Sequence, residues 1–333
     1  MSNLHVNIAG LDFENPVWLA SGPWGGTGHK LKKVALEGRP GALVTKSIPW
    51  EPKAQASPRA ARTIYDRMFY GVDKTEPFTA KEWFSEEIPI ALAGGVPVIA
   101  NINLGMEPLD FWVEAGRMAE DSGVSAIELG FAAPSFGLNF FIGKNPVGYH
   151  ITDHIKKAVT IPVFVKIPYL YPTTHLKDFV GELLACGADG IVTCGNVAAT
   201  QVDIEAGKQT IGAGTRIGTV YGEMAKPVSL AMVLLVASHF SVPIIGTGGI
   251  RTGEDVLEYV MAGASATQIV MEAMLKGPLV FQKINEQISG WMEDHHVKNL
   301  SEIRGKALIG DGGEKRMSPP VIVDDRPCDC LPE

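Results

Sequence analysis

The chain has 333 residues, of which 46% are hydrophobic and 20% charged, so it can bury a sizeable core and wholesale disorder is excluded. Its formal charge is -8 and its lysines and arginines form no block, which argues against nucleic acid or an acidic membrane as the main partner. No signal peptide or membrane-spanning run is recognisable, so we expect a cytoplasmic protein. Four cysteines at this length make a disulfide framework improbable.

The predicted elements begin with a small hairpin over residues 5–14 that turns at Ala9-Gly10. We expect it to cross the bottom of the barrel that the following elements predict. Short apolar runs follow, as expected for parallel strands buried on both faces. These runs are PVWLA (16–20), ALVTK (42–46), PVIANI (97–102), SAIEL (125–129), PVFVKI (162–167), GIVT (190–193), PIIGT (243–247) and TQIVM (267–271). Amphipathic helical patterns lie between them, for example Pro108–Ser122, His175–Cys186, Pro227–His239 and Gly253–Ala262.

The eight β–α units show no internal break in composition and predict a single α/β domain, a (β/α)8 barrel over residues 1–310. A doubly wound open sheet is the alternative, although eight units of this length suit closure better. Residues 311–333 are rich in Pro, Asp and Gly and predict an extended C-terminal tail. The tail holds Cys328 and Cys330, too few thiolates for an iron–sulfur cluster, so we expect no metal in the isolated chain.

In a barrel of this kind the functional site lies at the carboxyl ends of the strands. Two of the apolar runs end there in a lysine, Lys46 and Lys166. Either lysine could extend to solvent, but two ammonium groups in one mouth would bind an anionic or electron-accepting ligand. After the seventh strand, the glycine-rich segment Gly246–Ile250 predicts a phosphate site, because glycines let backbone N–H groups approach an anion.

Together these motifs resemble the dihydroorotate dehydrogenase family, including the related pyrimidine-reducing domain of dihydropyrimidine dehydrogenase. The resemblance covers the chain from Asn15-Pro16 to about Leu308. The matching motifs are Ala20-Ser21-Gly22, Thr45-Lys46-Ser47, Asn103-Leu104-Gly105, Val165-Lys166, Gly222 with Lys226-Pro227, Gly246–Ile250, Ala262-Gly263-Ala264, Lys276-Gly277-Pro278 and Gly305-Lys306.

The resemblance implies a TIM barrel that holds FMN noncovalently across its mouth. It implies flavin contacts from Ala20, Ser21, Gly22, Lys46, Ser47, Asn103, Lys166, Gly222, Thr247, Gly248 and Gly249. Lys166 would also take part in catalysis, because its ammonium would stabilise negative charge on the reduced flavin.

The chain departs from the family at the positions expected to meet the substrate. The position of the family's Cys or Ser base is Ala133, and two family asparagines are replaced by Gly130 and Ser135. The substrate loop after the second strand reads Met68–Gly71, without its Asn, and the family's Asn-Thr after the sixth strand aligns with Gly195-Asn196.

These departures predict a more apolar pocket and a substrate other than dihydroorotate, because buried polar groups left without partners are costly. An alanine cannot act as a base, so another group must transfer the proton. Tyr70 and Ser135 are the leading candidates, followed by Cys194. A further departure, Met271-Glu272 in place of Gly-Thr, alters part of the expected phosphate site.

The sequence thus predicts an FMN-dependent oxidoreductase that acts on a CH–CH or C=C bond next to a carbonyl of a small molecule. A non-catalytic flavin-binding subunit that relays electrons, or a phosphate-binding barrel enzyme without flavin, are the alternatives. We expect a homodimer and an electron-transfer partner, but no nucleic-acid or membrane partner.

Overall fold

The computed structural model describes residues 3–52, 61–65, 68–71, 78–132, 147–169, 173–209 and 218–309. In chain order its strands are β1 (Val6–Ile8), β2 (Leu11–Phe13), β3 (Val17–Leu19), β4 (Leu43–Val44), β5 (Ala61–Tyr65), β6 (Met68–Gly71), β7 (Val98–Ile102), β8 (Ala126–Gly130), β9 (Val163–Lys166), β10 (Gly190–Val192), β11 (Asn196–Ala199), β12 (Val202–Asp203), β13 (Lys208–Gln209), β14 (Gly218–Gly222), β15 (Ile244–Thr247) and β16 (Ala266–Ile269). Its α-helices are α1 (Gly28–Gly38), α2 (Ala80–Glu82), α3 (Ile88–Leu92), α4 (Leu109–Asp121), α5 (Val147–Ala158), α6 (Thr173–Ala185), α7 (Ala225–His239), α8 (Gly253–Ala262), α9 (Met271–Lys276) and α10 (Val280–Asp294).

Eight parallel strands close into a barrel in the order β3-β4-β7-β8-β9-β10-β15-β16, and β16 pairs again with β3. In this closing pair Thr267 lies opposite Val17 and Gln268 opposite Trp18. Each strand falls on one of the apolar runs of the sequence. The predicted (β/α)8 barrel is therefore confirmed, and the open doubly wound sheet is excluded.

The N-terminal hairpin β1–β2 closes the bottom of this barrel, as predicted. Its turn residues Ala9 and Gly10 both have positive φ angles, 51° and 81°, which suits a tight two-residue hairpin. The buried side chains of Ile8 and Phe13 pack with Trp18 and the lower interior of the barrel. Burying a side chain of this size contributes about 1.5–3 kcal/mol, so the hairpin is part of the core.

A second sheet, which the sequence did not predict, is formed by β11, β14, β6 and β5 in antiparallel order. The loop after β4 supplies β5 and β6, and the segment between β10 and α7 supplies β11 and β14. Both insertions leave the barrel at the carboxyl ends of its strands, so this sheet stands on the same side as the mouth.

The predicted tail and its two cysteines, Cys328 and Cys330, lie outside the described residues. Within the described ranges, no helix has both the length and the apolar composition needed to cross a membrane.

Candidate active site

A buried polar network occupies the barrel interior near its mouth. Glu128 of β8 is fully buried and accepts hydrogen bonds from Asn101 Nδ2 of β7 and Gln268 Nε2 of β16, both at 2.6 Å. Lys166 Nζ, at the end of β9, lies 3.3 Å from Glu128 Oε1 and 2.9 Å from Gln268 Oε1. A buried carboxylate requires such partners, because its desolvation costs several kcal/mol. Glu128 therefore holds Lys166 inside the mouth, and the lysine does not extend to solvent.

The second strand-end lysine, Lys46, is also buried, with 5% of its surface exposed. Its backbone N–H donates to Gly25 O at 2.8 Å, which brings the turn after β3 against the end of β4. A Cβ on Gly25 would lie 2.7 Å from Lys46 N, so only glycine allows this approach. Ser21, Gly22 and Ser47, which are among the predicted flavin residues, flank the same strand ends.

The predicted phosphate loop lines one side of an open cleft at the mouth. Gly248 and Gly249 have φ angles of +126° and +66°, and neither backbone N–H has an acceptor in the described part of the chain. Tyr259 Oη donates to Gly248 O at 2.8 Å and fixes the loop from beneath. The cleft is thus lined by unpaired amides that can bind an anion.

The same cleft extends from the glycine loop to the polar network. Its lining includes Gln268 and five of the predicted cofactor residues. These five are Ala20, Gly222, Thr247, Gly248 and Gly249. Thr247 Oγ1 lies 3.3 Å from Gln268 Oε1, and Gln268 in turn contacts Lys166. The cleft therefore leads from the glycine loop toward Lys166.

Asn103 has a partner at the rim of the barrel, because its Nδ2 donates to Gly130 O at 3.0 Å. Two residues earlier, Asn101 points into the interior, and its Oδ1 is buried without a hydrogen-bond partner among the described residues. Sequence reasoning missed Asn101, Glu128 and Gln268. The available signal was a polar residue inside each of the apolar runs PVIANI, SAIEL and TQIVM.

The proton-transfer candidates are described only in part. The backbone of Tyr70 lies in β6 opposite Val220 of β14, while its side chain, Ser135 and Ala133 lie outside the described residues. Cys194 is buried at the end of the sixth barrel strand, and its Sγ donates to Asn196 O at 2.7 Å. Burial raises the pKa of the Cys194 thiol, which keeps it neutral near pH 7.

Two ion pairs lie at the glycine-loop end of the cleft. Arg251 Nη1 is 2.5 Å from Glu223 Oε1, and the buried carboxylate of Glu272 pairs with Lys276. Glu272 is part of the Met271-Glu272 departure noted in the sequence, and its side chain lines the cleft. No cluster of three or more His, Cys, Asp or Glu side chains suited to a metal occurs among the residues that the structure describes.

Fold and site together define a TIM-barrel enzyme with a cationic mouth and a glycine loop for a phosphorylated ligand. The family model described as dihydroorotate dehydrogenase matches residues 3–292. Among curated relatives, the catalytic subunit of dihydroorotate dehydrogenase B (NAD(+)) from Methanocaldococcus jannaschii is 34% identical, over 91% of this chain and 98% of that protein. The corresponding subunit from Alkaliphilus metalliredigens is 33% identical, over 91% of this chain and 98% of that protein. The subunit from Thermoplasma acidophilum is 32% identical, over 92% of this chain and 100% of that protein.

The chain belongs to the dihydroorotate dehydrogenase family, and it is an FMN-dependent oxidoreductase. This confirms the resemblance found in the sequence. It also excludes the two alternatives, a barrel enzyme without flavin and a non-catalytic flavin-binding subunit.

The described residues fit such a cofactor. Gly248 and Gly249 offer unpaired amides for a phosphate, and Asn101 Oδ1 is a buried acceptor without a donor in the described ranges. Lys166 provides a positive charge that is fixed in place and 12% exposed. These features suit FMN, which needs donors for its phosphate and acceptors for its ring N–H groups, and whose reduced ring is stabilised by a nearby cation.

Proposed function

We propose that this chain transfers a hydride between FMN and a CH–CH or C=C bond next to a carbonyl of a small molecule. The observation that carries the proposal is Lys166, which Glu128 and Gln268 hold in the mouth. Gln268 also lines the cleft that leads to Gly248 and Gly249. FMN supplies the hydride acceptor or donor when bound. The phosphate would be held at Gly248 and Gly249, and the reducible ring would lie toward Lys46 and Lys166.

In this proposal Lys166 stabilises negative charge that develops beside it during flavin reduction. A preorganised ammonium in a site shielded from water is effective because it needs no reorganisation. Glu128 and Gln268 hold the lysine side chain, and Asn101 accepts a hydrogen bond from the ligand. Ser21, Gly22, Ser47 and Asn103 are proposed to flank the flavin, as the family resemblance implies.

The test is an anaerobic absorbance measurement on purified protein that carries its flavin. Addition of a substrate should bleach the oxidised flavin band, whereas a matched addition of buffer should not. A protein that binds no FMN, even after it is supplied, would contradict the proposal.

Dihydroorotate, which is named for the relatives, is the first substrate to assay. We propose that it is turned over slowly and that a related, less polar carbonyl compound reacts faster. The support is that Ala133 stands in place of the family's base, and Gly130 and Ser135 in place of two of its amides. Loss of a general base typically lowers the reaction rate by about 10²–10⁴-fold. Turnover of dihydroorotate at ordinary enzyme rates, about 10 s⁻¹, would show that it is the substrate.

We propose Tyr70 as the proton donor, with Ser135 as the next candidate. Tyr70 lies in β6, part of the sheet on the mouth side of the barrel. With the true substrate, Tyr70→Phe should lower turnover by about 10²-fold or more. Unchanged turnover in both Tyr70→Phe and Ser135→Ala would contradict the assignment.

The assembly is also a proposal. The relatives are named as catalytic subunits, which supports a second, electron-transferring subunit for this chain. We propose that the chain itself forms a homodimer and acts in the cytoplasm. Light scattering at micromolar concentration should give twice the mass of the 35.7 kDa chain, and a monomer would contradict the dimer.

A further inference from the structure

The rim of the cleft carries an arginine that is only partly satisfied by its partner. Arg251 follows the glycine loop, Glu223 follows β14, and both line the cleft. Arg251 Nη1 lies 2.5 Å from Glu223 Oε1. Arg251 Nε is buried and has no acceptor within the described ranges. A guanidinium has five N–H donors, so it can bind a further anion.

The charges around the cleft make this arginine important for an anionic ligand. Glu223 and Glu272 both line the cleft, and each is paired with a cation, Arg251 and Lys276 respectively. These four side chains sum to zero charge. A phosphate at Gly248 and Gly249 would therefore enter beside two carboxylates, and Arg251 could turn to it from Glu223 and supply a cation.

We propose that Glu223 competes with the phosphate of FMN for Arg251, so that this carboxylate sets the affinity for the phosphorylated flavin. The proposal rests on the placement of FMN given above. Arg251 lies two residues after Gly249, on the loop that lines the cleft. Phosphate suits a guanidinium well because it can accept two parallel hydrogen bonds. Glu223 then acts as an internal competitor, and riboflavin, which lacks the phosphate, is insensitive to it.

The experiment compares FMN with riboflavin on the full chain after its flavin has been removed, by titration of flavin fluorescence. Glu223→Gln should tighten FMN binding about tenfold and leave riboflavin binding nearly unchanged, as expected for loss of a charged competitor. Arg251→Gln should weaken FMN but not riboflavin, and Arg251→Lys should restore part of the loss. Glu254→Gln is the matched control, because Glu254 is exposed in the first turn of α8 and does not line the cleft.

The double variant separates competition from simple repulsion. If Glu223 competes for Arg251, Glu223→Gln gives little gain in an Arg251→Gln background. An equal or larger gain in that background would overturn the proposal. Equal effects of Glu223→Gln and Glu254→Gln on the ratio of FMN affinity to riboflavin affinity would also overturn it. Failure of the wild-type chain to bind either flavin would instead contradict the cofactor placement, and this inference with it.

Discussion

At the scale of single residues, Glu128 is the side chain on which the buried network depends. It is fully buried and accepts hydrogen bonds from Asn101, Gln268 and Lys166. Removing one partner of a buried ion pair costs about 3–5 kcal/mol, because the other charge is left without compensation. We expect Glu128→Ala to lower the free energy of unfolding by about this amount in a denaturant titration.

The same interaction predicts non-additivity. Glu128→Ala combined with Lys166→Met should destabilise the protein by less than the sum of the two single variants, since neither charge is then left alone. Strictly additive losses would contradict the ion pair in the mouth.

Gly130, one of the departures from the family, packs closely against Asn101. A Cβ at this position would lie 2.9 Å from Asn101 Oδ1 and 3.2 Å from Asn101 Nδ2. We expect Gly130→Ala to cost about 1–3 kcal/mol of unfolding free energy, as overpacking does, and Asn101→Ala to recover part of the loss. Gly290→Ala in α10 is the control, because nothing lies within 4 Å of its Cβ. Equal effects of the two alanines would contradict the close contact.

Cys186 gives a pH-dependent prediction. Burial raises the pKa of its thiol to about 12, above the ordinary value of 9.0. The neutral thiol is therefore favoured in the folded state, and this stability is lost as the pH rises above the unfolded pKa. The free energy of unfolding should fall between about pH 9 and 12, and the slope should be shallower in Cys186→Ala. Buried Tyr149 and Tyr259, whose pKa values are also raised, act in the same direction. An identical slope in the variant would contradict the assignment.

At the scale of elements, helix α8 holds the glycine loop in place. Its Asp255 accepts hydrogen bonds from the backbone N–H groups of Arg251 and Thr252, and Tyr259 Oη donates to Gly248 O. A Cβ on Gly246 would lie 2.3 Å from the Tyr259 ring, so the loop and the ring are closely packed.

Tyr259→Phe removes only the hydroxyl from this contact. It should weaken FMN binding severalfold, in line with one lost hydrogen bond of about 1 kcal/mol, and barely change riboflavin binding. Tyr149→Phe, on α5, should leave both affinities unchanged. A loss of riboflavin binding equal to that of FMN would show that Tyr259 supports the barrel rather than the phosphate loop.

Sequence patterns predict the barrel elements well but not the second sheet. The eight barrel strands are continuous apolar runs because both of their faces are buried, and this signal is local. The strands β6 and β14 are short and pair across about 150 intervening residues, so no local pattern indicates their partnership.

At the scale of the whole molecule, sequence patterns indicate several residues that line the cleft, but they do not indicate its buried polar centre. Lys46, Lys166 and the Gly248-Gly249 pair mark strand ends, where barrel enzymes place ligands. Asn101, Glu128 and Gln268 come from three strands of the closed barrel, and their contact appears only once the barrel closes. The substrate-side residues around Ala133 lie outside the described residues, so their assignment stays a prediction.

The most direct test of the central claim is the reduction potential of the bound flavin in wild type and in Lys166→Met. We expect FMN to bind to both and the variant to have a lower potential, because loss of the ammonium destabilises the reduced, negatively charged flavin more than the oxidised form. Equal potentials in the two proteins, with FMN bound, would contradict it.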